Sequence, residues 1–207
     1  MKNASKHADV LKSLLKRLVK EHKPAPRQPM EPLPALVRAA MSFDVSDAKS
    51  EETLKAIERE FVDLNELRVA TELEVQELLG SRYPQIEKRV TIITTALNNI
   101  FEREHTMNLE RLKTISRRDA RQFLRELPDI HPFVEAYVMM FAFDGHAFPI
   151  DDEALAYLTD EGALEDATNL EDAQRFVEHQ LKADECYELF ACLRKAAYAE
   201  GKKKKKR

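Results

Sequence analysis

Asp151 and Asp152 stand side by side after Phe148-Pro149-Ile150, where an apolar stretch passes into a helical one. A carboxylate in that place can do two kinds of work. It can cap the first helical turn by accepting a backbone N–H, or it can stabilise positive charge developing on a substrate and orient a water. Upstream, Leu127-Pro128-Asp129-Ile130-His131-Pro132-Phe133 reads as a helix end, a tight turn and the start of a second, apolar helix from Val134 to Phe143. His131 brings a titratable ring to that turn, with a purely structural role as its plain alternative. Before the turn, Arg117, Arg118, Arg121 and Arg125 fall at i, i+1, i+4 and i+8. Such a stripe suits a phosphate backbone, or else a solvated face paired with acids.

The elements that must position these residues are helices. Gly is scarce at 4 residues in 207, and β-branched and aromatic residues seldom alternate with polar ones. Residues 5–22 form an amphipathic pattern with Leu11, Leu14, Leu15, Leu18 and Val19 on one side, a stripe that must dock on the body or on a partner. Pro24, Pro26, Pro29, Pro32 and Pro34 then predict an extended connector. Helices follow over Pro34 to Met41 and Ser46 to Phe61, and one opened by the Thr71-x-x-Glu74 capping box and closed by Gly80. Pro84 opens a long one to about Glu104, Asn108 a short one, and Ser116-x-x-Asp119 caps the helix that enters the turn. Asp151 and Asp152 begin a helix to Thr159, Asn169 caps another to Leu181, and Ala183 to Glu200 makes the last. No strand and no internal repeat is expected.

Charge is divided along the chain. Residues 1–30 carry eight Lys/Arg against two acids, and Lys202 to Arg207 add six cations, which leaves 31–201 at −16 within a net charge of −4. Asp144 to Gln174 alone holds ten acids and no Lys or Arg. An acidic body repels a duplex, so simple phosphate-driven binding by that body is disfavoured. No apolar run reaches the roughly 20 residues of a membrane span, and no signal-peptide core opens the sequence. The two cysteines, Cys186 and Cys192, lie six apart in one helical pattern and match no zinc or disulfide framework. A cytoplasmic, reducing setting and no metal follow as expectations.

The turn and the acid together resemble the helix-hairpin-helix segment and catalytic aspartate of the endonuclease III (HhH-GPD) superfamily of DNA glycosylases. Its pattern is Leu-Pro-Gly-Val-Gly-x-Lys, an apolar helix, then a Val-Asp pair. Asp151 falls on the catalytic Asp and Phe133 on the catalytic Lys of the bifunctional members, 18 residues apart as in the family. Pro32-Leu33-Pro34-Ala35-Leu36-Val37 through Met41-Ser42-Phe43-Asp44 is similar to the family's first core helix and its Leu-Ser-Ala-Gln-like end. Asp44 stands where many members carry a Gln that fills the gap left by the extruded base. The resemblance covers about residues 31–200. It implies a flipped base, a carboxylate at Asp151 facing a groove between two lobes, and DNA contact through Ile130, His131 and the Arg stripe. It also marks losses. Phenyl at Phe133 cannot form a Schiff base, Asp129 and His131 replace the hairpin glycines, and Pro132 removes an amide. The family's iron–sulfur run of four cysteines is not supplied by Cys186 and Cys192, so no cofactor is expected.

The expected protein is therefore an all-α, helix-hairpin-helix DNA-glycosylase-like, two-lobed helical domain over 31–201. A basic helical arm and Pro-rich linker over 1–30 precede it, and a disordered Lys-rich tail over 202–207 follows. Two functions fit. One is monofunctional base excision, with N-glycosidic hydrolysis and no lyase step. The other is a non-catalytic descendant that binds nucleic acid or acts as a scaffold. DNA is the expected partner, a protein partner can reach the N-terminal amphipathic helix, and no membrane is involved.

Overall fold

The computed structural model describes residues 4–204, with side chains over 4–199. Among them are eleven α-helices, one 3-10 turn and no strand, so the all-α expectation holds. None of these helices is long and apolar enough to cross a membrane. The chain divides into two compact units, Met1–Gln28 with Gly145–Arg207, and Pro29–Asp144.

In the first unit α1 (Ala4–His22) packs along α11 (Ala183–Lys204). Leu11, Leu14, Leu15 and Leu18 recur at helical spacing and are all buried. Each buried leucine contributes about 1.5–3 kcal/mol. The stripe that the sequence offered to the body or to a partner is thus covered within its own chain. Tyr187 donates to the Ala25 carbonyl at 2.8 Å and Lys195 to the His22 carbonyl at 3.3 Å, tying α1 and the start of the Pro-rich connector to α11. Helices α9 (Asp152–Asp160) and α10 (Leu170–Gln180) pack on each other and on α11. The Lys-rich tail falls outside the described side chains, and its last three residues outside the described backbone.

The second unit is built around α2 (Pro32–Ser42), whose Ala35, Ala39 and Ala40 are fully buried and let neighbours approach closely. It packs on α3 (Asp47–Glu60), α6 (Ile86–Glu104) and, most extensively, α8 (Pro132–Ala142). Between them run α4 (Leu64–Val69), α5 (Glu72–Leu79), a 3-10 turn over Glu110–Lys113 and α7 (Arg117–Arg125). The Thr71–Glu74 capping box forms as expected, with both reciprocal hydrogen bonds present.

Four local expectations change. The extended connector stops at Glu31, and Pro32, read as part of it, opens α2. Helix α4 was not anticipated, because six residues are too few to show a period; Asp63 caps it by accepting the Glu66 N–H at 2.8 Å. The short helix after Asn108 is a 3-10 turn. The long helix begins at Ile86 rather than Pro84, because Gln85 adopts the left-handed region at φ 51°.

A buried cation closes the end of α2. Arg89 is fully buried and donates to the carbonyls of Ala40 (2.7 Å), Phe43 (2.6 Å) and Pro84 (2.7 Å). These include carbonyls at the C-terminus of α2, the negative end of its dipole, where a cation is favoured. The guanidinium also lies 3.9 Å from the centre of the Phe43 ring. Arg89 thereby fixes the segment from Ala40 to Phe43.

Candidate functional site

Asp151 stands at the N-cap of α9 in extended conformation, so its side chain turns back over the first turn. Oδ1 accepts the Ala154 N–H at 3.0 Å. Oδ2 accepts the Tyr198 hydroxyl at 2.6 Å and the Arg194 guanidinium at 3.1 Å. Arg194 and Tyr198 lie one turn apart on α11, and the guanidinium sits 4.4 Å from the Tyr198 ring centre. Asp151 is 1 % exposed and Arg194 8 %, so this is a buried ion pair. Such a pair tolerates burial only when its lone pairs and protons are otherwise matched, and here a helix N-terminus and a phenol do the matching. Both carboxylate readings of the sequence meet at one residue: the cap is made, and the charge is answered by an arginine.

Neither Arg194 nor Tyr198 was singled out from the sequence. A weak signal was available. Arg194 adjoins Leu193 and follows Phe190 by one turn, a charge beside an otherwise apolar face with Cys186, Leu189 and Ala197.

The hairpin belongs to the second unit and joins α7 to α8. Asp129 adopts φ 55°, the left-handed conformation that a family glycine would supply. Aspartate tolerates that region better than most residues, so the turn survives with an exposed carboxylate at its tip. His131 is the N-cap of α8. Its Nδ1 accepts the Phe133 N–H at 3.2 Å, and its carbonyl accepts the Val134 N–H at 2.8 Å. The Ile130 N–H is taken by the Leu127 carbonyl at 3.3 Å. Amides that a phosphate could use are therefore partly consumed inside the turn. The His131 ring stacks on Phe43 at 4.3 Å with an interplanar angle of 1°. Phe133 is 1 % exposed and packs between Phe43 and Tyr137, with ring centres 6.3 and 5.9 Å away. It is a core residue. Asp44 follows the Arg89-held segment at φ 52°.

The arginine stripe is largely committed to acids. Arg121 Nε lies 2.6 Å from Glu135 Oε1, an ion pair by distance whose angle falls outside hydrogen-bond geometry, and Arg125 reaches Glu135 Oε2 at 3.3 Å. Glu135 is buried on α8, and that burial pushes its carboxyl above the usual range against the pull of Arg121 and Arg125. Arg117 lies 3.7 Å from Asp144, while Arg118 is exposed. The stripe is thus chiefly the partner of a buried glutamate on α8.

No protein-family profile and no curated protein matches the sequence. Solved structures do match. The Clostridium acetobutylicum 8-oxoguanine glycosylase/lyase, in complex with dsDNA containing cytosine opposite 8-oxoG, superposes with a TM-score of 0.72 at 16 % identity, over 93 % of this chain and 70 % of that one. A trapped endonuclease III–DNA covalent intermediate gives 0.71 at 13 % identity, over 90 % and 84 % of the two chains. This chain has the fold of the helix-hairpin-helix DNA glycosylases. The H. pylori 3-methyladenine DNA glycosylase MagIII bound to 1,N6-ethenoadenine gives 0.68 at 15 % identity, over 95 % and 98 %.

Proposed function

We propose that this glycosylase-fold protein binds nucleic acid without excising a base. The observation that carries the proposal is the state of Asp151. One oxygen is given to the N-terminus of α9 and the other to Arg194 and Tyr198, in a side chain that solvent does not reach. A carboxylate stabilises a sugar cation by its uncompensated charge, and here a guanidinium compensates it. Phe133 offers no amine for lyase chemistry, and the exposed Asp129 repels a phosphate at the hairpin tip.

Phosphate binding is better served by the outer face of α1. Lys12, Lys16 and Lys20 are exposed at one-turn intervals on the side away from the buried leucines, and exposed Lys23 follows. The sequence from Lys202 to Arg207 carries six further cations. No iron–sulfur cluster enters this function, because Cys186 and Cys192 do not match the family's four-cysteine run. A cytoplasmic setting suits two buried thiols.

Excision without a lyase step is the second reading, favoured by the placement of Asp151 at a helix N-terminus, 18 residues after Phe133. Incubation with duplexes bearing uracil, oxidised pyrimidines or alkylated purines, developed with and without hot alkali, separates the two. The expected result is a mobility shift on duplex DNA with no alkali-labile site on any lesion. Alkali-dependent cleavage of one lesion would establish excision instead. Cleavage without alkali would show that another amine acts as lyase. Absence of any shift at low salt would remove the nucleic-acid proposal.

A further inference from the structure

A groove in the second unit is apolar at its floor and acidic at its rim. Phe61, Val69, Ala70 and Leu78 line it, and Glu60, Glu66, Glu74 and Glu77 surround them, enclosing about 510 Å³ with no Lys or Arg among the lining residues. Two of its walls are α4 and α5, the shortest α-helices of the unit. The apolar surface continues outward. Val69 is 62 % exposed and Leu73 64 %, while Val62, beside Phe61, is 93 % exposed. Phe61 also lines a second cavity of about 350 Å³ whose walls include Pro34, Val37, Leu54 and Ile57. Large apolar side chains gathered in this way, with a polar rim, mark a surface that another molecule covers.

Charge decides what kind of molecule. Glu74 holds the amide and hydroxyl of Thr71, and these hydrogen bonds keep its carboxyl below the usual range, so it stays anionic. Glu66 accepts the Val62 N–H, which fixes its carboxylate near the groove. Four carboxylates around an apolar floor exclude a nucleic acid and attract cations. An amphipathic helix lays its apolar side into a groove and presents i, i+4 and i+7 anchors. Lys or Arg flanking those anchors would meet the rim, giving orientation and faster encounter.

We infer that the groove between α4 and α5 docks a cationic amphipathic helix of a partner protein. The chain's own basic helix is not that occupant, because the apolar face of α1 is already buried against α11. This interaction is independent of base excision and of the α1 lysine face.

The test uses the full chain and three synthetic peptides. One is an amphipathic Leu/Lys helix, one is its twin with Glu for every Lys, and one is a scramble of the first with the same composition. Binding is read by fluorescence anisotropy and by backbone amide shifts. The Leu/Lys helix is expected to bind at least about tenfold tighter than either control, and to move amides of residues 60–78. Val69→Asp should weaken it by about the same factor, and Glu60→Lys with Glu77→Lys should transfer preference to the Glu twin. These residues are exposed, so the variants are expected to fold, and unchanged helicity checks that. Equal binding of the scramble would reduce the effect to general attraction for an acidic chain and overturn the inference. Shifts elsewhere, insensitivity to Val69→Asp, or self-association through the same residues would overturn it too.

Discussion

The imidazole of His131 lies flat on the ring of Phe43, with centroids 4.3 Å and planes 1° apart. This stack joins the hairpin to the end of α2, and Arg89 holds the opposite side of the same relationship through the Phe43 ring and carbonyl. A turn with Asp129 and His131 in place of glycines is thereby anchored by an aromatic pair and a buried cation. Phe43→Ala should destabilise the protein by about 3–5 kcal/mol, as expected for a fully buried aromatic. His131→Asn keeps a capping side chain and loses the stack, with an expected cost of about 0.5–1.5 kcal/mol. Urea denaturation of both variants and the double variant measures this, and additive effects would show that the stack carries no coupling.

The Asp151–Arg194 pair predicts a structural phenotype where the family resemblance predicts a catalytic one. Asp151→Asn retains an oxygen for the cap but leaves a buried guanidinium without its acid, which costs about 3–5 kcal/mol. Combining it with Arg194→Met should restore part of that loss, because no buried guanidinium is then left without its acid. An unchanged denaturation midpoint for Asp151→Asn would show that the pair is not structural.

Glu135 sets a pH dependence whose sign can be stated. Burial raises its carboxyl in the folded state above the ordinary carboxylate value, despite Arg121 and Arg125. Between those two values the folded protein binds more protons than the unfolded chain, so stability falls as pH rises through that window. The contribution is fully present below the ordinary value and lost above the folded one. Glu135→Gln should remove that segment of the profile. Parallel profiles of wild type and variant, from mildly acidic to neutral pH, would contradict it.

The proposed nucleic-acid binding through α1 would carry a salt signature. Each phosphate neutralised contributes about 0.9 to the slope of log K against log salt. Lys12→Ala, Lys16→Ala and Lys20→Ala together should therefore lower that slope by up to about 3. An unchanged slope in electrophoretic or anisotropy titrations would place the contacts elsewhere.

The two cysteines should be inert in the native state. Burial pushes the Cys186 thiol up to about 12 and raises that of Cys192 as well, so little thiolate forms at neutral pH. A maleimide should label neither until guanidinium chloride is added. Rapid native labelling would show that α11 opens readily.

How much of this was legible before folding depends on the range of each interaction. Caps at Thr71, Ser116, Asp151 and Asn169 bond to amides three positions on, and the leucine stripe of α1 repeats within its own helix. Interactions of that reach are written in local spacing, and so were the helices, the all-α class and the absence of an amine at Phe133. The hairpin was recognisable by position, yet only the backbone showed that Asp129 adopts the glycine-like conformation. The decisive facts about chemistry are long-range. Asp151 meets Arg194 and Tyr198 across 43 and 47 positions, and Arg89 meets Phe43 and Ala40 across 46 and 49. No periodicity encodes such pairs, because packing alone brings α9 to α11 and α6 to the end of α2. The sequence by itself determined which groups were present and on which helix each would ride. The tertiary structure decided that Asp151 meets Arg194 and Tyr198, since a buried polar side chain must find its hydrogen bonds on whatever helix packs against it.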